Sequence, residues 1–236
     1  MAGFQLPNGS SLQIHKTLAP SVPFTAISNA AEAVLTVSGN TGANAIAKGD
    51  VVYIDASTSN ELQYRPAYVK AATTTAITLL SFDTTDTTAY PTGISGSLRK
   101  VIDWVDLPLT STIANSGGDA NTTTIQFIQD EKARNLFTNT NPEITTLTTA
   151  HDAWDASRKY LVDHTKKQDF VVYRVFNPKA AGGEGEYRLF VVQIQFNGNP
   201  VMAVNEVETN TLAMTIQKGA YFYRKTDIDA LLASGG

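Results

Sequence analysis

The chain is predicted to be mainly β with a single packed helix, and three observations carry that prediction. Threonine occurs thirty times in 236 residues, while charged side chains make up only 17%. A chain rich in Thr, Val and aromatics favours the half-buried pleated surface of strands. Short apolar runs, among them "EAVLTVSG", "GDVVYIDAS" and "TAITLLSF", recur at near-regular spacing between Gly, Asn, Ser and Asp clusters, as in a small sandwich or barrel. Only residues 149–164 carry a clear helical period. The expected architecture is therefore a β-sandwich or barrel core with one helix on it, preceded by a small N-terminal β unit.

Taken in order, residues 1–28 carry Pro7, Pro20 and Pro23 with no sustained period, which predicts an extended arm. Phe4, Leu6, Leu12, Ile14 and Phe24 are more apolar than a solvated tail needs, so the arm either hangs free or orders on a neighbouring subunit. Residues 29–105 form the small β unit, with "DTTDTTAYPTGISG" as a turn-rich loop. The core spans 106–225. "SLRKVIDWVDLPL" alternates as a strand leading into it, "STIANSGGDANTTT" is a long polar loop, and "TTTIQFIQDE" is a strand.

The helix is expected over about 149–164. Thr149 with Asp152 three residues on resembles a capping box. Ala150, Ala153, Trp154, Ser157 and Leu161 share one face, with Trp154 as the single large anchor, and Ala153, Trp154 and Leu161 are the expected helix–sheet contacts. Asp155 and Lys159 form an i,i+4 pair, and "HTKK" places positive charge at the C-terminal end. Two long strands follow, "DFVVYRVF" and "EYRLFVVQIQF". In the second, Phe190, Val192, Ile194 and Phe196 face a core, and Tyr187, Leu189, Val191, Gln193 and Gln195 face the other way, as on a surface covered by a neighbour. Glu206 and Glu208 are placed on one face of a last strand, and 226–236 is a tail without assigned structure.

Several functions are excluded or disfavoured. Net charge is −4 with a pI near 5.3, against a protein that grips nucleic acid through clustered Lys and Arg. There is no cysteine, so there are no disulfides, thiolate metal sites or Cys nucleophile. No apolar run reaches the roughly 20 residues that span a bilayer, and the N-terminus has no signal-peptide pattern. GxSxG, Walker A and HExxH are missing. On a helix, His151 and His164 would sit about 20 Å apart along the axis and cannot share a metal. His151 with Asp155 lacks a third ligand, and His15 has no partner in view. The glycine-rich "GGDANT" and "AAGGEGE" do not run from a strand into a helix, which disfavours a phosphate loop. No catalytic residues, metal or cofactor are assigned, and no enzyme is expected.

The order of parts, carried by "TIANSGGDANTTTIQFIQDEKARNLFT", "ITTLTTAHDAWDASRKYLVDH", "KQDFVVYRVFNP", "RLFVVQIQFNG" and "NEVETNTLAMTIQKG" over roughly 110–225, resembles the major tail tube proteins of long-tailed bacteriophages. The resemblance implies a non-enzymatic virion protein, made in the host cytoplasm, whose copies form stacked, hexameric rings. Each copy gives part of an inner β-barrel and packs its helix outside. The bore passes DNA without binding it and first holds a tape-measure protein, with terminator and tip proteins as further partners and no membrane. On that reading Glu206, Glu208, Asp119 and Glu184 are candidates to face an acidic lumen. Phe4, Leu6, Leu12, Ile14, Gly117, Gly118, Gly182, Gly183, Gln193 and Gln195 are candidates for subunit interfaces. The alternative is a decoration or surface-binding β module of capsid or adhesin type, expected as trimers or monomers.

Overall fold

The computed structural model describes residues 8–129 and 131–233; Phe4 and Leu6 lie outside the described residues. The chain is 49% strand and 11% helical, in line with the mainly β expectation. It starts with β1 (Ser11–Leu18) and continues through β2 (Val22–Ile27), β3 (Val34–Val37), β4 (Val51–Ser57), β5 (Pro66–Ala72), β6 (Ala76–Leu79) and β7 (Gly96–Asp106). Six of these close a barrel in the order β2-β3-β6-β5-β4-β7, sealed by β2 against β7 from Val22↔Leu98 to Phe24↔Gly96. The seam needs a glycine: a Cβ on Gly96 would lie 2.1 Å from the Ala56 carbonyl oxygen and 2.8 Å from the Phe24 ring. Phe24, Leu35, Ile54, Leu62, Phe82 and Leu98 fill the barrel and are buried. Each such side chain contributes roughly 1.5–3 kcal/mol of burial.

The eleven-residue β7 runs on out of the barrel. Its first half pairs with β4 and β2, and its second half, Val101 to Asp106, pairs with β1. That junction starts a second sheet, completed by β8 (Thr110–Ser116), β11 (Ile144–Ala150), β12 (Phe170–Asn177), β13 (Glu186–Phe196) and β14 (Thr209–Arg224), in the order β7-β1-β12-β13-β14-β11-β8. Between β8 and β11 the chain leaves the sheet as a separate hairpin, β9 (Ala120–Ile125) with β10 (Arg134–Thr140). The helices are α1 (Ala156–Lys167) and α2 (Lys225–Ala233).

Alternation along β13 builds two cores. Val192 and Ile194 pack with Leu147, Leu161, Leu212 and Met214 on the α1 side. Leu189 and Val191 pack with Val51, Tyr53, Tyr68 and Tyr223 on the other. The cover expected from a neighbour over Leu189 and Val191 is thus supplied by the chain's own barrel. Aromatic pairs seat it: Tyr64 with Phe170 at 4.1 Å between ring centres and Tyr68 with Tyr223 at 5.0 Å. Arg65 reaches across, its guanidinium 3.6 Å from the Phe82 ring centre and 4.7 Å from that of Tyr221. Only Gln193 and Gln195, farther along the same face, stay uncovered.

Four expectations are corrected. The described part of the expected arm over 1–28 is no extended arm, because β1 and β2 occupy most of residues 8–28. Leu12 and Ile14 are buried in the chain's own core, between β7 and β12, so they are not available to a neighbour. Their partners lie some 90 and 160 residues away in sequence, which is why local reading saw no element. The helix starts at Ala156, not Thr149. Residues 144–150 alternate as strand β11, with Thr145, Leu147 and Thr149 inward. Asp155 is the N-cap, its Oδ1 accepting from the Ser157 N–H at 2.7 Å, as a short side-chain acceptor at this position should. Trp154 consequently precedes the helix and is 94% exposed; Ala153 is exposed too, and Leu161 alone of the three expected contacts packs on the sheet. Finally, the tail is α2, which buries Ile228 and Leu231.

Candidate assembly surfaces

Strand parity sorts the side chains of β13, β14, β11 and β8 onto two faces. On the face away from α1, β11 presents Thr146 and Thr148, paired across to Ala213 and Thr211 on β14 and to Ala114 and Thr112 on β8. Gln193 and Gln195 of β13 stand opposite Thr215 and Ala213. The Gln217 side-chain amide donates to Gln193 Oε1 at 3.3 Å, and Gln193 Nε2 donates to the Gln168 carbonyl at 3.2 Å. Over Gln193, Gln195, Thr211, Ala213, Thr215, Thr146, Thr148, Thr112 and Ala114 this face is exposed or half-buried and holds hydroxyls, amides and small apolar groups, with no charged side chain among them. The charges of this half of the molecule lie on α1, with Arg158, Lys159, Asp163, Lys166 and Lys167, and at the strand ends. Lys218 of β14 is set against Val191, within 3.7 Å of Glu61 from the barrel.

Large apolar side chains are exposed at both ends of these strands. At one end project Phe127, Ile128, Leu136 and Phe137 of the β9–β10 hairpin, with Phe137 79% exposed. Gly117 and Gly118 begin it, both at positive φ, and a Cβ on Gly117 would lie 2.0 Å from the Pro142 carbonyl oxygen. At the other end, Val201, Met202, Val204 and Val207 of the β13–β14 loop are exposed near Leu109 and Trp154. The backbone ties this end together: the His151 N–H donates to the Glu208 carbonyl, the Ala150 N–H to that of Leu109, and His151 Nδ1 lies 2.6 Å from Asn210 Oδ1.

The acidic candidates sit at the margins. Glu206 and Glu208 lie in the exposed β13–β14 loop and not on a common strand face, because β14 begins only at Thr209. Asp119 lies in the β8–β9 turn, at the opposite end, and Glu184 in the β12–β13 tip beside Gly182 and Gly183. None stands on the four-strand face. The sequence reading missed the hairpin's apolar tip; "IQFIQ" and "NLF" flanking a charged turn were the signal available for it.

The sheet also has a free edge. β8 pairs with β11 on one side and, among the described residues, has no strand on its other. Beside it opens a trough of about 480 Å³, lined by Ile113, Tyr173, Phe190, Met214 and Phe222 among others. Unpaired edges and apolar surface of this kind mark places where another chain pairs or packs.

A buried polar cluster lies where β1, β12 and α1 meet. His15, 3% exposed, accepts the Val172 N–H on Nδ1 at 2.9 Å. Its ring meets that of His164 edge-on at 5.0 Å, and His164 Nδ1 lies 2.8 Å from Asp169 Oδ1. Burial, then His164 and Arg99, push the His15 pKa down to about 3, so it is held neutral. Among the described residues no group of three His, Asp or Glu could hold a metal, and no helix is long and apolar enough to cross a membrane.

No curated protein matches the sequence. A family model described as phage tail tube protein, TTP, matches residues 57–225, from the end of β4 through β14 and including α1. The match takes in β5, β6 and β7 of the barrel. With a match over most of its length, the chain belongs to the phage tail tube protein family.

Proposed function

We propose that copies of this protein close into hexameric rings around a bore, and that the rings stack into the tail tube through which DNA leaves the virion.

 The observation that carries this is the pairing of an open strand edge with apolar ends. β8 lacks a partner along the sheet, and large apolar side chains project at both ends of the same strands. Lateral joining of copies at β8 removes the edge. Contacts along the strand direction bury the hairpin of one ring and the β13–β14 loop of the next. If each of six copies gives β13, β14, β11 and β8, the ring has about 24 strands, and barrels of 16–18 strands already leave an aqueous channel.

On this reading α1 packs outside and the four-strand face turns inward. Gly117 and Gly118 serve the stacking hairpin, while Glu206, Glu208 and Asp119 form acidic rims and Glu184 tips an outer loop. The tape-measure, terminator and tip proteins are its partners in the virion tail. Negative-stain electron microscopy of the concentrated protein tests the proposal: rings or tubes are expected. Dispersed monomers or closed trimers across a range of salt would overturn it, trimers favouring a decoration module.

A further inference from the structure

We infer that the conduit is lined by an uncharged hydroxyl–amide surface, and that DNA passes because the wall offers it neither a cation to bind nor a fixed anion to cross. The inference rests on the tube reading and sharpens it, since net negative charge alone would suggest an acidic wall. The inward face is the one bearing Thr146, Thr148, Thr211, Thr215, Gln193 and Gln195. A solvated face of its extent on an ordinary domain carries roughly a quarter to a third charged residues. Here the uncovered stretch of the face carries none; the nearest charge on it, Lys218 of β14, lies where the barrel begins to cover the sheet and is paired with Glu61.

Threonine suits both demands. Its branched Cβ favours the strand, and its hydroxyl both donates to and accepts from water. Glutamine amides do the same. Such a wall keeps a hydrogen-bonded water layer that phosphates can slide past. Affinity for a duplex comes mainly from Lys and Arg that release its counterions, and the uncovered part of this face carries none; Lys218, at its margin, is paired with Glu61. Charges on α1 lie on the other side of the sheet, a layer of about 10 Å away. The acidic groups at the rims act only where rings meet.

The test uses tubes of the full chain. Because the protein has no cysteine, Thr148→Cys and Lys159→Cys each introduce a single thiol. In intact tubes, maleimide-coated gold too large to enter the bore should label the second and spare the first; after dissociation both should label. Equal labelling in intact tubes would place the threonine face outside and overturn the lining while leaving the tube role standing. Absence of any tubes from the wild type would remove the tube role itself, and the lining with it.

Tubes are then assembled with a short fluorescent DNA duplex, sedimented and washed. Wild-type tubes should retain none. Thr148→Lys tubes should retain it at about 50 mM salt and lose at least roughly tenfold of it by about 200 mM. Gln195→Lys, on the neighbouring part of the face, gives the same readout should the first variant not assemble. Salt-sensitive retention by wild-type tubes, or none by a lysine variant whose position is shown to be internal, overturns the inference.

Discussion

In the N-terminal barrel, β7 returns to β2, so six strands leave no edge, and their large apolar side chains fill the barrel or, as Val51, Tyr53 and Tyr68 do, pack against the larger sheet. The larger sheet stops at β8, sends out a hairpin whose Phe127, Ile128, Leu136 and Phe137 are exposed, and leaves a second apolar cluster at its far end. Both regions are made of similar strands from one composition. The difference is that the barrel completes its hydrogen bonding and burial within the chain, while the sheet leaves both unfinished in the places where further copies of the chain would complete them. Most of the exposed large apolar groups thus gather on the larger sheet and its ends, Leu232 of α2 lying apart from them.

Deleting the hairpin, residues 119–140, breaks the comparison most sharply. Gly118 and Asn141 already share a backbone hydrogen bond of 3.1 Å, so the cut ends meet. Nearly all the removed side chains are exposed. We expect loss of rings and tubes in micrographs with a melting temperature close to that of the wild-type monomer; unfolding of the variant would show the hairpin to be part of the core.

Acid should strike the junction of the two regions next. His15 lies on β1 and is held near 3 against about 6.5 when unfolded. Its folded-state value is depressed, so its contribution is full above about pH 6.5 and is lost as pH falls toward 3. The loss is on the order of 4 kcal/mol. Stability measured by denaturant titration between pH 7 and pH 4 should fall, and His15→Gln should flatten that slope. An unchanged slope would remove His15 from the account.

Single core truncations come third. Leu98→Ala in the barrel and Leu161→Ala under α1 each remove a fully buried side chain and should cost about 2–5 kcal/mol. Comparable losses would show that the sheet is as firmly packed as the barrel wherever it is closed. A cost below about 1 kcal/mol at Leu161 would mean that α1 is not a structural part of the monomer. The smallest effect is expected at Trp154→Ala. With 94% of its surface exposed, it should change monomer stability by less than about 0.5 kcal/mol, and a melting curve checks this directly. Any effect it has should appear in assembly.

Much of the fold was legible along the chain. The strands 170–177 and 186–196, the strand through Trp104, the N-terminal β unit and the basic end of the helix all follow from local period and composition. Errors fell where local pattern fitted two elements. Residues 149–154 have spacing that suits a helix face, yet Thr145, Leu147 and Thr149 continue a strand. Asp155, a better cap than Thr149, decides where the helix starts. Of the interface candidates, Gly117, Gly118, Gln193 and Gln195 lie on the surfaces proposed for assembly, while Leu12 and Ile14 are buried within the chain, against partners too distant in sequence for local pattern to reveal.

By itself the sequence determined composition, strand texture, the absence of thiol chemistry and the likeness to tail tube proteins, because those depend on residue type and short-range order. Only the tertiary structure decided that β1 is a central strand and not an arm, that the barrel closes through β2 and β7, and that Trp154 faces solvent. It also decided that the threonines and glutamines of four strands gather on one uncharged face. The physical reason is that a strand's two faces are told apart by what pairs beside it and packs above it, and those partners lie tens to hundreds of residues away.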